Sequence, residues 1–408
     1  MTGTTLVVVS TAEAVHLEPG GAPPAARGRW ERLVSHRLTH LLAPALLYLA
    51  VREIGLLALR LMAHRWDKDV GRALTSWDGH WFLGIAEGGY RNVPPWLVDA
   101  FSRRTDETPL AFFPGYPALV RWLAALPGVE PVGAAFAVSL FSGVCCAYAL
   151  HRIGRRVAGG SHRAGLVLVV LFAASPMAVV LSMAYSEATF CALAAWSLVG
   201  VLERRWVLAG ACCAAAGLVR PTAAALVLAV VAAAVVAIAR REGGARPWVG
   251  GAIAPLGLLG YLGYVALRTG QWDGWFAVQQ RGWDSRFDGG AATWRFALAV
   301  LGDPRSVLEL ATVWFLVAAI ALAVLCARRG VAWPLVVYGV GVLVMDLGSN
   351  GLMNSKARLL VPAFTLLVPA ALALARRRTG TAVAVLAGVV AFSAWFGAYA
   401  ITAWQYAI

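Results

Sequence analysis

Residues 222–239 read TAAALVLAVVAAAVVAIA and are followed directly by Arg240 and Arg241. This uncharged run is close to the ~20 residues that a helix needs to cross a bilayer. The whole chain of 408 residues has the same character, with 60% apolar residues, 14% charged residues and a mean hydropathy of +0.70. A water-soluble protein has about 25% charged residues on average. We therefore predict an all-α, polytopic integral membrane protein.

Ten other stretches resemble this one. The eleven predicted spans are 41–63, 130–150, 164–183, 188–202, 207–219, 222–239, 248–267, 308–327, 331–347, 359–375 and 380–402. A further apolar segment, 111–127, contains Pro114 and Pro117 near its start, so we expect an interfacial or re-entrant helix on the outer face. Residues 1–37 are predicted to form a disordered, basic cytoplasmic arm, and residues 38–408 the membrane domain.

The arginines indicate the topology. The predicted cytoplasmic turns carry fourteen of them: Arg152, Arg155, Arg156, Arg163, Arg204, Arg205, Arg240, Arg241, Arg246, Arg328, Arg329, Arg376, Arg377 and Arg378. The predicted external loops are nearly neutral, with six Lys/Arg and seven Asp/Glu in 64–110, and five Arg and four Asp in 268–306. The positive-inside rule thus explains most of the net charge of +14. We expect no nucleic-acid partner.

Two long external loops, 64–129 and 268–306, interrupt the spans. They hold nine of the seventeen tryptophans: Trp66, Trp77, Trp81, Trp96, Trp122, Trp272, Trp275, Trp283 and Trp294. One interpretation is an aromatic belt at the membrane surface. The other is a surface that contacts a sugar or a prenyl chain, because aromatic rings pack on apolar faces and indole N–H groups donate hydrogen bonds.

The densest segment of these loops is SWDGHWFLGIAEGGY, from Ser76 to Tyr90. Asp78 lies between Trp77 and Trp81, and partial desolvation there would suit it to remove a proton from a hydroxyl. Alternatively, Asp78 is the N-cap of a helix. We assign Asp78 as the candidate catalytic base. The candidate substrate-binding residues in the same segment are Trp77, His80, Trp81, Glu87 and Tyr90; His80 and Glu87 have a solvated interfacial position as their alternative.

Charged residues also interrupt later apolar stretches. Glu187, in SMAYSEAT, lies in a predicted external turn, and an ionisable group at such a depth is a functional candidate. The alternative is a solvated turn residue. Arg220, Lys356 and Arg358 are predicted on the same membrane face. A base beside several cations suits transfer from a lipid phosphate, because cations stabilise charge on the departing phosphate. For Arg220 and Arg358 the alternative is snorkelling to the interface.

The sequence assigns no metal and no cofactor, although a divalent cation remains open. It lacks a P-loop, a dinucleotide-binding fingerprint and an HExxH motif. The six cysteines, all in apolar runs, include no CxxC pair. His36 and His40 have i, i+4 spacing but lie in or beside the basic arm, which makes a metal site there unfavourable.

The chain resembles the PIG-V mannosyltransferases, a family that includes the second mannosyltransferase of GPI-anchor synthesis and has actinobacterial members. The resemblance rests on Trp77-Asp78, on Ile85–Tyr90 (IAEGGY) and on Ala111–Pro117 (AFFPGYP). Weaker similarity follows at Ser175-Pro176, Tyr185–Glu187, Arg220 and Arg358–Pro362.

The resemblance implies a GT-C membrane fold and a polyprenyl-phosphate-mannose donor used outside the cytoplasm. It places the family's catalytic aspartate at Asp78. The Ala/Arg/Gly-rich composition is typical of a high-GC actinobacterium, so we expect a bacterial plasma membrane and a glycolipid or lipoglycan acceptor in contact with membrane lipid.

Two alternatives stay open. One is a GT-C transferase of another polyprenyl-phosphate sugar, including a protein O-glycosylating enzyme. The other is a non-enzymatic transporter of lipid or sugar. A transporter keeps its polar groups near the membrane midplane between broken helices. Here the predicted polar groups lie at one face, which favours an enzyme.

Overall fold

The computed structural model describes residues 24–404 and 406–408, and the side chains of these from His40 onward. The chain divides into two units, residues 1–42 and residues 43–408. Helix α1 begins at Pro24, so it includes residues 24–37 of the predicted arm. The division into an arm of residues 1–37 and a membrane domain of residues 38–408 stays a prediction. Residues 1–23 lie outside the described residues, and disorder there stays a prediction.

The described chain is helical. Its α-helices are α1 Pro24–Arg65, α2 Val70–Thr75, α3 Asp78–Gly88, α4 Gly115–Ala124, α5 Pro131–Arg156, α6 His162–Ala173, α7 Glu187–Leu202, α8 Trp206–Gly217, α9 Ala223–Ala239, α10 Arg246–Ile253, α11 Leu256–Thr269, α12 Gly274–Trp283, α13 Ala291–Gly302, α14 Val307–Arg328, α15 Trp333–Gly348, α16 Lys356–Leu359, α17 Val368–Ala375 and α18 Thr379–Thr402. Short 3₁₀ helices are Thr108–Ala111, Ala178–Ser182, Met353–Ser355 and Val361–Leu367. Over residues 24–404 and 406–408 there is no β-strand, only an isolated bridge between Phe287 and Ser349.

Among the residues that the structure describes, five segments of helix are long and apolar enough to cross a membrane. They are His40–Arg65, Pro131–Arg156, Arg246–Thr269, Val307–Arg328 and Thr379–Thr402. A sixth candidate, Met353–Leu359 with Val361–Ala375, is bent by 52°. The predicted all-α integral membrane fold is confirmed, and the protein is a multi-pass membrane protein.

The remaining predicted spans correspond to shorter apolar helices, so the total of eleven complete crossings stays a prediction. Two spans predicted as continuous, 164–183 and 359–375, are broken in the structure, and we correct both. The first breaks because α6 ends at Ala173 and a 3₁₀ helix follows only at Ala178. The second contains the 3₁₀ helix Val361–Leu367.

Local signals explain where several helices begin. The Ser161 hydroxyl accepts a hydrogen bond from the Ala164 backbone N–H at the start of α6, and Ser306 caps α14 through the N–H of Glu309. Small residues let helices approach closely: a Cβ atom built at Gly210 would lie 2.4 Å from the carbonyl oxygen of Gly250. Close approach of this kind stabilises the packing of helices in a membrane, because the hydrophobic effect contributes little to helix association in lipid.

The segment 111–127 contains α4, which at ten residues is too short to cross a bilayer, as expected. Arg121 of α4 donates from Nε to the Ala86 carbonyl oxygen at 2.7 Å, near the end of α3. The Tyr116 hydroxyl donates to the Ala135 carbonyl oxygen of α5 at 3.0 Å. Helix α4 thus fixes α3, whose first residue is Asp78, against the buried core.

Turns that the sequence assigns to the cytoplasm contact one another. Arg152 binds Glu203 through two hydrogen bonds, Nε to Oε1 at 2.6 Å and Nη2 to Oε2 at 2.7 Å, and Arg156 adds a third at 3.0 Å. Arg163 donates to the carbonyl oxygen of Arg377 at 2.9 Å. These arginine-rich turns therefore lie together at one end of the membrane domain. We call Glu203 and its arginine partners the basic-end cluster.

Candidate active site

Four charged side chains from distant parts of the sequence form a continuous ion cluster. Arg358 Nη1 lies 2.6 Å from Asp78 Oδ2, and Arg358 Nε lies 3.6 Å from Glu187 Oε1. Arg220 Nη1 lies 2.7 Å from the same Glu187 oxygen. The charges alternate along the line Asp78, Arg358, Glu187, Arg220. The structure thus brings together four of the residues predicted from the sequence, and we call them the site cluster.

Each member of the site cluster lies where a helix begins or breaks. Asp78 and Glu187 are the first residues of α3 and α7. Arg220 lies in the turn between α8 and α9, and Arg358 lies in the four-residue helix α16. Helix N-termini favour negative charge, so the two carboxylates are well placed at the starts of their helices.

The backbone at Trp77 is strained. Its φ of 54° lies in a region that bulky L-residues rarely adopt. Trp77, not Asp78, is the N-cap of α3, so the alternative that Asp78 itself occupies the cap position is wrong. Such strain costs on the order of 1–3 kcal/mol and concentrates at functional sites. Here it turns the chain so that Asp78 faces Arg358.

Burial differs across the site cluster. The Glu187 side chain is fully buried, those of Arg358 and Arg220 are 9% and 11% exposed, and that of Asp78 is 30% exposed. Asp78 is therefore the most solvent-accessible member of the site cluster. Among the described residues, the buried Nε atoms of Arg220 and Arg358 have no hydrogen-bond partner. The two carboxylate oxygens of Glu187 also lack a hydrogen bond of good geometry. Buried polar groups without partners are rare and call for an explanation, such as a ligand.

Sequence reasoning missed two contributors, although both lie in the SMAYSEAT stretch. The Tyr185 ring lies beneath the Arg358 guanidinium, with 5.2 Å from Cζ to the ring centroid, and its hydroxyl donates to the Ser76 carbonyl oxygen at 3.1 Å. The Ser186 hydroxyl accepts from Arg220 Nη1 at 3.1 Å. Both side chains are buried and hold the two arginines in place.

Lys356 does not join the site cluster, although it is two residues from Arg358. Its buried amino group donates to the backbone oxygens of Asp346 at 2.5 Å and Ser349 at 2.8 Å. Lys356 therefore lies apart from the site cluster, and its assignment to the donor phosphate stays a prediction. Glu87 also lies outside the site cluster. Its side chain is exposed, and its backbone carbonyl oxygen accepts a hydrogen bond from Arg121 at 3.3 Å.

Three other predicted substrate-binding residues, His80, Trp81 and Tyr90, pack against residues of the external loops. Trp81 stacks on Phe112 with 5.0 Å between ring centroids, and its edge meets Trp283 at 6.3 Å. Tyr90 has a structural contact, because its hydroxyl donates to the Phe112 carbonyl oxygen at 2.8 Å. His80 meets the Trp96 ring edge-on at 5.2 Å.

Burial lowers the pKa of His80 below its ordinary value, which favours a neutral imidazole. Over the described part of the chain, no group of three or more His, Cys, Asp or Glu side chains is placed to hold a metal ion. The site cluster itself alternates carboxylates with arginines, a set that suits an anion better than a cation.

No protein-family model matches the chain, and no curated protein sequence matches it. The PIG-V resemblance therefore stays a prediction. The chain is similar in structure to ArnT from Cupriavidus metallidurans bound to undecaprenyl phosphate, with a TM-score of 0.52 and 16% sequence identity over 85% of this chain. The match spans 63% of the ArnT chain. The apo state of ArnT aligns with a TM-score of 0.48 and 16% identity over 74% of this chain and 56% of ArnT.

At this identity the likeness to ArnT shows a shared fold. The GT-C-type membrane fold predicted from the sequence is thereby confirmed.

Proposed function

We propose that this protein is a membrane glycosyltransferase. It moves mannose from a polyprenyl-phosphate donor to a hydroxyl of a glycolipid or lipoglycan at the extracytoplasmic face of a bacterial plasma membrane. The observation that carries the proposal is the site cluster, in which an accessible carboxylate lies beside two buried arginines. ArnT, which shares the fold, was crystallised with undecaprenyl phosphate, and this supports a lipid phosphate as the donor group.

Arg220 and Arg358 are the proposed partners of the donor phosphate. A polyprenyl-phosphate sugar is a phosphodiester with one negative charge. When the bond between the sugar C1 and the phosphate oxygen breaks, its electrons stay with that oxygen and the leaving phosphate gains charge. Two guanidinium groups stabilise this added charge, because each donates charge-assisted hydrogen bonds in a fixed geometry. Glu187 keeps both arginines in place when no donor is bound.

Asp78 is the proposed base. It takes the proton of the acceptor hydroxyl while the acceptor oxygen forms its bond to C1. Because Arg358 lies 2.6 Å from Asp78, the carboxylate is paired before the donor binds. A phosphate that draws Arg358 toward itself releases an Asp78 oxygen for the proton. Donor binding then precedes removal of the proton from the acceptor.

The experiment that tests the proposal incubates membranes containing the protein with radiolabelled polyprenyl-phosphate-mannose and identifies the labelled product. We expect label in a glycolipid or lipoglycan with the wild type and almost none with Asp78→Asn. Asp106→Asn is the matched control, because Asp106 is exposed in the same external loop and outside the site cluster. Equal labelling by Asp78→Asn and Asp106→Asn would contradict the proposal.

The same assay separates the alternatives. Transfer from another polyprenyl-phosphate sugar but not from the mannose donor would correct the donor sugar. Label in a protein fraction would indicate O-glycosylation. Movement of the labelled lipid between leaflets without a new product would indicate a transporter.

A further inference from the structure

Two arginine side chains that run in opposite directions link the connection between α5 and α6 to the turn between α17 and α18. Arg163, in the first turn of α6, donates from Nη2 to the Arg377 carbonyl oxygen at 2.9 Å. The Arg376 guanidinium lies against Gly159, since a Cβ atom built there would lie 2.8 Å from Arg376 Nη2. Arg377 and Arg378 are exposed beside Arg376. We call Arg163, Arg376, Arg377 and Arg378 the arginine patch.

The charges of the arginine patch have no carboxylate partner among the described residues. Residues 151–163 and 376–379 contain no Asp or Glu. The carboxylates of the other arginine-rich turns, Glu203 and Glu242, form ion pairs with Arg152, Arg156, Arg204 and Arg205. Packing thus holds like charges together, which costs free energy that a bound anion would offset. The positive-inside rule accounts for arginines in such turns, but not for the contact that they make between two of them.

The arginine patch lies at the ends of two candidate membrane spans. Pro131–Arg156 ends just before the connection to α6, and Thr379–Thr402 begins directly after Arg378. Because helices of this length and hydropathy cross the bilayer, their ends lie at the level of the lipid headgroups. Val383, in the second turn of α18, is 59% exposed and provides apolar surface for an acyl chain. Cations at the headgroup level are thus combined with an apolar surface that continues into the hydrocarbon.

We propose that the arginine patch binds the phosphodiester of an anionic phospholipid. Guanidinium groups donate paired hydrogen bonds to phosphate oxygens, and basic residues directly beside a membrane span attract anionic headgroups. The lipid phosphate is also the anion that is concentrated at this level of the membrane. The arginine patch shares no residue with the site cluster, and the inference does not rest on the proposed transferase activity. A bound lipid would stabilise the contact between the two turns.

The test is native mass spectrometry on the full-length protein in neutral detergent at low ionic strength. Phosphatidylglycerol is the probe, and zwitterionic phosphatidylcholine is the comparison lipid. The wild type should bind phosphatidylglycerol more tightly. Arg163→Gln combined with Arg376→Gln should weaken this binding by roughly 30-fold, because each arginine near an anionic headgroup contributes about 5-fold. The corresponding double Lys variant keeps both charges and should retain most of the binding.

Arg328→Gln combined with Arg329→Gln is the matched control. Both arginines are exposed at the end of the candidate span Val307–Arg328 and lie outside the arginine patch. This variant loses the same amount of charge and should bind phosphatidylglycerol as the wild type does. Arg376→Gln alone leaves the hydrogen bond of Arg163 in place, so it keeps the test valid if the double Gln variant fails to fold. It should weaken binding by about 5-fold.

Three results would overturn the lipid site. The first is equal binding of the two lipids by the wild type. The second is an equal loss in the patch variants and the control, which would indicate a diffuse effect of charge. The third is displacement of phosphatidylglycerol by inorganic phosphate, which would indicate a site for free anions. Because the measurement needs neither donor nor turnover, its outcome is independent of the transferase assay.

Discussion

The two clusters of paired charges at the ends of the membrane domain differ in how well their carboxylates are satisfied. Glu203, in the basic-end cluster, accepts three hydrogen bonds from Arg152 and Arg156, whose side chains reach solvent. Glu187, in the site cluster, is fully buried and has no hydrogen bond of good geometry among the described residues. A satisfied cluster stabilises a structure, whereas an incompletely satisfied one can still accept a ligand.

This comparison predicts that changes in the site cluster affect chemistry and changes in the basic-end cluster affect only stability. The largest effect is expected at Asp78. Asp78→Asn keeps the shape of the side chain and removes the proton acceptor, so turnover should fall by about 10²–10⁴-fold. Asp78→Glu should also have low turnover, because its longer side chain moves the carboxylate by about one methylene from the position that allows a close hydrogen bond.

The measurement is transferase activity normalised to folded protein in the membrane, with Asp78→Ala alongside. If Asp78 had only a structural role at the start of α3, both Asn and Ala would keep near-wild-type turnover per folded protein, and each would lose only the about 0.3–1 kcal/mol that a negative charge contributes at a helix N-terminus. That result would remove the catalytic assignment.

A smaller loss is expected at Arg220. Arg220→Ala should weaken use of the donor by roughly 10- to 150-fold, which corresponds to the loss of a charge-assisted contact of about 1.5–3 kcal/mol. Arg220→Lys should restore only part of the lost donor use, because an ammonium group cannot make the bidentate contact of a guanidinium. The measurement is kcat/KM for the donor.

Loss of Arg220 also leaves Glu187 as a buried charge without its closest partner, which destabilises the fold. The double variant Arg220→Ala with Glu187→Gln removes that charge and is the control. If the double variant regained wild-type use of the donor, the role of Arg220 would be structural.

In the basic-end cluster, Glu203→Gln should leave turnover per folded protein unchanged. Loss of its charge-assisted hydrogen bonds should lower the free energy of unfolding by about 1–3 kcal/mol. Thermal unfolding in detergent measures this, with activity at saturating donor beside it. A fall in turnover of the folded protein would show that the two clusters are coupled.

The same residue gives a pH dependence with a definite sign. Hydrogen bonds from Arg152 hold the folded-state pKa of Glu203 below its ordinary value of 4.5. The stabilisation is therefore present above that pH and is lost as the pH falls through the folded-state pKa. The wild type should lose its stability advantage over Glu203→Gln on acidification, and an advantage that grew instead would contradict the assignment.

Cysteine labelling is the mildest perturbation, and it tests on which side of the membrane each cluster lies. A membrane-impermeant maleimide should label Asp106→Cys in the external loop and fail to label Ala158→Cys in the turn after α5. Both positions are exposed and lie outside the two clusters. The unmodified protein, with its six native cysteines, supplies the background. Labelling of Ala158→Cys from outside in intact cells would invert the topology.

Much of the fold could be predicted because its causes are local. Apolar runs bounded by arginines indicated where the helices lie, since each segment must satisfy its own backbone in lipid. The breaks after Ala173 and around Val361 were missed because hydropathy alone set the spans, although Pro176 and Pro362 lie in these breaks and disfavour a continuous helix.

In the site, Asp78, Glu187, Arg220 and Arg358 were identified from the sequence as interruptions of apolar surroundings. Their direct contact was not predictable, because it joins residues up to 280 positions apart. The backbone conformation of Trp77 was equally unpredictable, because its positive φ is imposed by the surrounding structure and not by the conformational preference of tryptophan.

The sequence alone therefore determined that this is an α-helical membrane protein and which charged residues interrupt its apolar segments. Only the tertiary structure decided between Lys356 and Arg358. Residues two apart on a helix point to opposite sides, so Arg358 reaches Asp78 while Lys356 turns to the backbone of Asp346 and Ser349. Composition specifies that a segment enters lipid, but the packing of neighbouring helices specifies which of its side chains meet.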